Sequence, residues 1–171
     1  MKRLFIAIKI VPGGDLLRMI SSVKALLGDE SIKWVDSGNI HITLAFLGDT
    51  EEKKIKPLTR ILEKACTDSG RFEFSLSGTG VFKNYNDPRV IWVGIHPEQD
   101  IAKLVTRINE GLKSGGYLIE DRSFRPHLTI GRIRTLKDNE RLKRVLETYR
   151  DTEFQIISAA EVILYESILM Q

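Results

Sequence analysis

Residues 124–132 read Phe-Arg-Pro-His-Leu-Thr-Ile-Gly-Arg, and in outline they repeat residues 39–48, which read Asn-Ile-His-Ile-Thr-Leu-Ala-Phe-Leu-Gly. Both stretches contain the pattern His-x-Thr followed by an aliphatic residue. In an extended strand the side chains alternate between faces, so the histidine and the threonine project together while the residue between them enters the core. Each stretch therefore predicts one imidazole and one hydroxyl on the same face of a strand.

The spacing of the two stretches indicates an internal duplication. His41 and His127 are 86 positions apart, and the same offset separates Arg3 from Arg89, each of which opens a short apolar run. The chain therefore reads as two copies of one unit.

Each copy is predicted to run strand, helix, a strand pair around the motif, helix, strand. Consecutive strands without an intervening helix favour antiparallel pairing, so we expect an α+β fold in which two antiparallel sheets face a central cleft with the helices outside. The expected unit is a single domain over residues 1–171, made of two pseudo-symmetric lobes with approximate repeats at 3–82 and 89–165. Facing lobes would bring the two histidines together in the cleft.

Three local expectations complete this reading. Gly48 is predicted to end the first motif strand, and Asp49 with Glu52 three residues later resembles a capping box for the next helix. Residues 78–88, rich in glycine and asparagine, are predicted to be a loop that joins the halves. Residues 117–119 are predicted to occupy the place that the short strand at residues 32–35 holds in the first copy.

Composition indicates a globular protein with a mild preference for anions. A chain of 171 residues with 42% hydrophobic residues can bury a sizeable core, and its net charge is +3 with a pI near 9.0. Between Gly116 and Arg150, nine Lys or Arg stand against five Asp or Glu. This excess around the second motif suggests a phosphate partner, and a solvated helix face explains part of it equally well.

Cysteine usage and hydropathy favour the cytoplasm. The single cysteine, Cys66, excludes an intrachain disulfide framework and a cysteine-rich metal site, which fits a reducing compartment. The apolar run at the amino terminus is too short for a signal peptide, and no stretch of about eighteen apolar residues is present, so no membrane span is expected.

Two imidazoles converging on one point suit a reaction that takes a proton from a nucleophile and gives another to a leaving group. Histidine serves both tasks because its ordinary pKa, about 6.5, leaves both protonation states available near neutrality. Thr43 and Thr129 each add a hydroxyl donor for a phosphoryl oxygen, and nearby arginines can neutralise charge. The pattern therefore predicts a phosphoryl ester lying between two symmetric His-Thr pairs.

The alternative is that the histidines are structural, as a lone histidine on a strand usually is. Two of the three histidines in the chain lie in matched motifs with a shared offset, which favours a common active site. Arg125 has the strand parity of His127, whereas Arg132 has the opposite parity unless Gly131 introduces a bulge. For both arginines, phosphate or RNA binding and a surface salt bridge are equally good interpretations.

Other candidates have simpler explanations. His96 ends a strand, and Cys66 belongs to the apolar face of a helix, so neither is assigned a functional role. Three aromatic residues could stack on a nucleobase: Trp34, Phe82 and Tyr85. Aromatic residues are more commonly buried in the core, so none of the three is assigned to the catalytic set.

The sequence resembles the 2H phosphoesterases, and within them the RNA 2',3'-cyclic phosphodiesterases, also called 2'-5' RNA ligases. The resemblance covers nearly the whole chain and rests on residues 3–8, 34–48, 88–92 and 124–132. It implies a bilobal fold, no required cofactor or metal, and two motif histidines that act as acid and base. By this resemblance His41 is the proton donor and His127 the proton acceptor.

The resemblance implies hydrolysis of 2',3'-cyclic phosphate ends of RNA to 2'-phosphomonoesters, with 2'-5' joining of RNA ends as the reverse activity. The expected partner is RNA with such an end, tRNA fragments among the candidates, and the expected protein is a cytoplasmic monomer that does not bind membranes. Two alternatives stay open. One is a phosphodiesterase for a small cyclic nucleotide or a 2'-5' oligonucleotide, and the other is a non-catalytic RNA-binding module.

Overall fold

The β-branched and aromatic runs of the sequence form strands, and the amphipathic stretches between them form helices. A computed structural model describes residues 1–120 and 123–169. The elements follow one another in this order: β1 (Lys2–Lys9), α1 (Gly14–Leu26), β2 (Ser31–Trp34), β3 (His41–Thr50), α2 (Ile55–Ser69), β4 (Phe72–Phe82), β5 (Val90–His96), α3 (Gln99–Ser114), β6 (His127–Thr135), α4 (Asn139–Glu147), β7 (Glu153–Ala159) and β8 (Ile163–Glu166).

The strands form two antiparallel sheets, as predicted. The smaller sheet has the order β3-β1-β8, and the larger has the order β2-β6-β5-β4-β7. Helix α2 packs against α3, which contacts β3, whereas α1 and α4 contact each other and the larger sheet at β7 and β4. Each sheet therefore has its own helix pair, and the α+β expectation is confirmed.

The two sheets do not coincide with the two sequence repeats, because the last strand of each repeat joins the opposite sheet. Strand β4 ends the first repeat and pairs with β5, whereas β8 ends the second repeat and pairs with β1. The short strand β2 also crosses over and pairs with β6. The halves are interlocked by this exchange, which local periodicity does not encode.

Both motif strands carry a β-bulge at the same place in the motif. In β3 the partners of Ile6 and Ala7 are Ala45 and Thr43, which leaves Leu44 without a partner on β1. In β6 the partners of Ile91 and Trp92 are Gly131 and Thr129, which leaves Ile130 without a partner on β5. The bulged residues are again 86 positions apart, so the duplication extends to an irregularity of the backbone.

The strands that pair with the motif strands are offset differently. Ala7 lies opposite Thr43 and Trp92 lies opposite Thr129, which is an offset of 85 rather than 86. Arg3 and Arg89 are therefore one register position apart and are not structurally equivalent, although their sequence spacing matched.

Three local predictions were wrong. Strand β3 continues through Gly48, which has φ +64°, to Thr50, so Asp49 does not cap α2. The N-cap residue of α2 is Lys54, and its side chain makes no capping hydrogen bond. Strand β4 extends to Phe82 through residues predicted as a loop. Residues 117–119 form no strand.

A glycine and an aspartate define the ends of two helices. Gly70 follows the last residue of α2 with φ +64°, a conformation that favours glycine. The carboxylate of Asp138 accepts a hydrogen bond from the backbone N–H of Arg141 and caps α4. Across residues 1–120 and 123–169, no helix is long and apolar enough to span a membrane.

Candidate active site

Two adjoining cavities lie between the sheets, and the histidine motifs line them. The larger, of about 730 Å³, is lined by His41 and Thr43, and the smaller, of about 270 Å³, by His127, Thr129 and again Thr43. Five of the described residues border both cavities: Thr43, Phe46, Ile119, Glu120 and Arg132. The structure therefore brings the two His-Thr motifs to one continuous cleft.

The two imidazoles are held in the same way. His41 Nδ1 lies 2.6 Å from the carbonyl oxygen of Asn39, and His127 Nδ1 lies 2.7 Å from that of Arg125. A carbonyl oxygen can only accept, so Nδ1 carries the hydrogen in both rings. In the neutral form of each ring, Nε2 then keeps its lone pair, and that nitrogen is the one available for proton transfer.

Burial lowers the pKa of His127 below its ordinary value. The hydrogen bond to the Arg125 carbonyl opposes this shift, whereas the positive charge of Arg132 lowers the pKa further. The neutral imidazole of His127 is thereby favoured at neutral pH, as a general base requires.

Each histidine contacts an aromatic residue from the exchanged strand. Phe82 of β4 packs edge-on against His127 with 4.8 Å between ring centroids, and Tyr165 of β8 lies 6.1 Å from His41. Phe5 lies 5.2 Å from His41 and stacks on Tyr165 at 5.1 Å. The exchange of strands thus gives each half of the site a ring from the other half.

The predicted arginines both reach the cleft. The bulge at Ile130 reverses the parity of the residues after it, so exposed Arg132 lines both cavities. From the sequence, Arg132 was expected on the face of His127 only if Gly131 introduced a bulge, and the bulge lies one residue earlier, at Ile130. Arg125 lines the smaller cavity, and its guanidinium lies 5.9 Å from the ring centroid of Phe82.

Phe46 is a cleft residue that the sequence analysis missed. It is 58% exposed and borders both cavities, so a large apolar ring faces solvent between the histidines. Regular alternation would place it opposite His41 and Thr43, and the bulge at Leu44 brings it to the same side. An exposed aromatic ring in such a cleft can stack on a nucleobase.

The remaining candidates lie elsewhere. Cys66 lines a separate cavity of about 510 Å³ beside α2, and burial raises the pKa of its thiol. His96 is exposed at the end of β5. Within the described parts of the chain, no group of three His, Cys, Asp or Glu side chains is close enough to hold a metal ion.

Comparison with known sequences identifies relatives over nearly the full chain. A family model described as the 2'-5' RNA ligase superfamily matches residues 20–166. Proteins named RNA 2',3'-cyclic phosphodiesterase from Archaeoglobus fulgidus and Methanocaldococcus jannaschii are 31% and 32% identical, over 98% of this chain and 92% of the relative in both cases.

Comparison with solved structures identifies the same architecture. The protein TT0787 of Thermus thermophilus superposes with a TM-score of 0.75 at 20% identity, and E. coli LigT in complex with 3'-AMP with a TM-score of 0.71 at 21% identity. Each match covers 99% of this chain and 90% of the other. The pairing of two sheets around one cleft is therefore a shared fold.

Proposed function

The chain belongs to the 2'-5' RNA ligase superfamily, and from that membership we propose that it hydrolyses the 2',3'-cyclic phosphate end of RNA to a 2'-phosphomonoester. The catalytic pair in this proposal is His41 and His127. The observation that carries it is the matched hydrogen bond from each Nδ1 to the carbonyl two residues earlier, which leaves two Nε2 atoms for proton transfer in one cleft.

The proposed reaction has one step at phosphorus. Neutral His127 takes a proton from water through Nε2 as the water oxygen forms its bond to phosphorus. The bond between phosphorus and O3' breaks on the opposite side, and protonated His41 donates its Nε2 proton to O3'. The products are a 2'-phosphate and a free 3'-hydroxyl, and exchange of protons with solvent restores both rings.

Two features of the structure support this polarity. The lowered pKa of His127 favours the neutral ring that a base needs. In addition, the ribose is attached to the leaving oxygen and must lie on the side of the proton donor. The cavity at His41, about 730 Å³, falls in the usual range for a small-molecule ligand, whereas the cavity of about 270 Å³ at His127 needs to hold only the attacking water.

The neighbouring side chains supply the remaining interactions in the proposal. Thr43 and Thr129 donate hydroxyl hydrogen bonds to the non-bridging oxygens, and Arg132, which lies between the cavities, neutralises their charge. Arg125, which lies beside Phe82, is assigned to binding the phosphate or the nucleobase. Phe46 is assigned to stacking on the nucleobase.

The same geometry provides for the joining of RNA ends. In that reaction a 5'-hydroxyl takes the place of water at His127, and the product is a 2'-5' linkage. The description of the matching family favours this second activity. A non-catalytic RNA-binding role is disfavoured, because binding alone does not require two imidazoles with identically fixed tautomers.

We further propose that the protein acts as a monomer in the cytoplasm on RNA ends such as those of tRNA fragments. One chain supplies residues from both sheets to both cavities, so no second copy is needed to complete the site. The single cysteine fits a reducing compartment.

The test is the conversion of an oligoribonucleotide with a 2',3'-cyclic phosphate end, followed by phosphorus NMR of the product, with and without EDTA. The expected result is a 2'-phosphate at an unchanged rate in EDTA. A product that is only the 3'-phosphate would contradict the assigned orientation. Loss of turnover in EDTA that one metal restores would contradict the acid-base mechanism.

A further inference from the structure

We propose that Arg3 binds the phosphodiester group next to the cyclic end, so that the enzyme distinguishes an RNA strand from a mononucleotide. Arg3 and His41 both line this cavity, and they lie toward opposite ends of the β1–β3 ladder, where Arg3 pairs with Asp49 and His41 pairs with Lys9. The inference rests on the proposed function and names a specificity residue for it.

The position of the leaving group determines where the rest of the RNA must lie. O3' and O2' belong to the terminal ribose, and the chain continues from that ribose through C5'. If O3' leaves toward His41, the ribose and everything attached to it occupy the His41 side of the cleft. That side holds the larger cavity, which extends along the smaller sheet to residues of β1 and to Ser167.

Arg3 lies on the cleft face of this sheet. It is two positions from Phe5 on β1, on the side opposite the buried Leu4 and Ile6, and the ring of Phe5 lies 5.2 Å from that of His41. Residues two apart in a strand are about 7 Å apart and face the same side. The backbone of Arg3 is held by a hydrogen bond of 2.7 Å from the Ser167 N–H to its carbonyl.

The guanidinium of Arg3 is available to an anion. Its side chain is exposed, and among the residues that the structure describes it makes no ion pair, whereas its neighbour Lys2 pairs with Glu166 at 3.1 Å. Among the described residues that line this cavity, Arg3 and Arg132 are accompanied by one carboxylate, Glu120, and the exposed Asp49 lies opposite Arg3 on β3. Because arginine binds phosphate oxygens through a planar, bidentate fork, this end of the cavity suits one phosphodiester.

The experiment compares uridine 2',3'-cyclic phosphate with the dinucleotide UpU that ends in the same cyclic group. For Arg3→Ala we expect kcat/KM on the dinucleotide to fall about tenfold or more, the loss of one charge-assisted hydrogen bond, with the mononucleotide unchanged within about twofold. Arg3→Lys should recover part of the loss. The matched control is Arg60→Ala, because Arg60 is an exposed arginine on α2. This substitution should leave kcat/KM unchanged on both substrates.

A neutral methylphosphonate between the two uridines tests the contact itself. For wild-type protein, kcat/KM should fall on this analogue by about the same factor as Arg3→Ala lowers it on the natural dinucleotide. For Arg3→Ala, kcat/KM should be the same on the analogue and on the natural dinucleotide. Equal losses on mononucleotide and dinucleotide, or no loss on either, would overturn the role of Arg3 and leave the proposed function intact. Failure of wild-type protein on every substrate would instead refute the proposed function, and this inference with it.

Discussion

At the scale of single residues, the site depends on how two imidazoles are oriented. The sequence predicted His41, Thr43, His127 and Thr129 on common strand faces, and the structure places all four in the lining of the cleft. The direction of Arg132 could not be predicted, because strict alternation holds only in a regular ladder and the bulge at Ile130 arises from pairing with β5. The catalytic roles of the two histidines and the two threonines stay predictions.

The pH dependence of kcat/KM tests the assignment of His127 as the base. A general base must be neutral, so kcat/KM falls when the pH drops below the pKa of His127. Burial and the charge of Arg132 lower that pKa below the ordinary histidine value of about 6.5, so the acidic limb of the pH profile should lie below about pH 6.5. In Arg132→Gln the cation that lowers the pKa is absent, so the acidic limb should move to higher pH. The magnitude of kcat/KM should also fall about 10- to 100-fold from the lost phosphate contact.

Arg132→Lys is the control for this measurement, since it keeps the charge and should leave the acidic limb near its wild-type position. An acidic limb that does not move in Arg132→Gln would mean that another group sets it, and the base would have to be reassigned.

At the scale of elements, the interior strands β4 and β5 of the larger sheet support His127 through a chain of aromatic rings. Trp92 covers Gly80 so closely that a Cβ there would lie 2.3 Å from its ring, and Phe82 lies 5.5 Å from Trp92 and 4.8 Å from His127. The sequence predicted a loop here because Gly78 and Gly80 resemble turn signals. In the structure Gly78 has φ +72° beside a register shift of β4, and Gly80 leaves room for an indole.

Gly80→Ala should therefore displace Trp92 and, through Phe82, also displace His127, the proposed general base. We expect a loss of about 1–3 kcal/mol in the free energy of unfolding, measured by urea denaturation, together with reduced turnover. Gly28→Ala is the matched control, since its added Cβ would meet only ordinary contacts at 3.5 Å and should change stability by less than about 0.5 kcal/mol. Equal effects of the two substitutions would argue against the chain of rings.

At the scale of the whole molecule, the two motif strands carry matched bulges, and β4 and β8 each join the sheet of the other half. The sequence was sufficient for most element types and for the antiparallel class, because both follow from local periodicity. It could not show which sheet each strand joins, because pairing between distant segments leaves no local signal. The description of residues 1–171 as one domain of two pseudo-symmetric lobes stays a prediction.

The central claim is that His41 and His127 act as one acid-base pair, and the most direct test is turnover of an oligoribonucleotide with a 2',3'-cyclic phosphate end by His41→Ala, His127→Ala and the double variant. Each single variant should lose about 10²- to 10⁴-fold in kcat while unfolding in urea like wild type, and the double variant should lose little more than the worse single one. His96→Ala, outside the cleft, should keep full activity. Small losses that multiply in the double variant, or an equal loss in His96→Ala, would contradict a shared site.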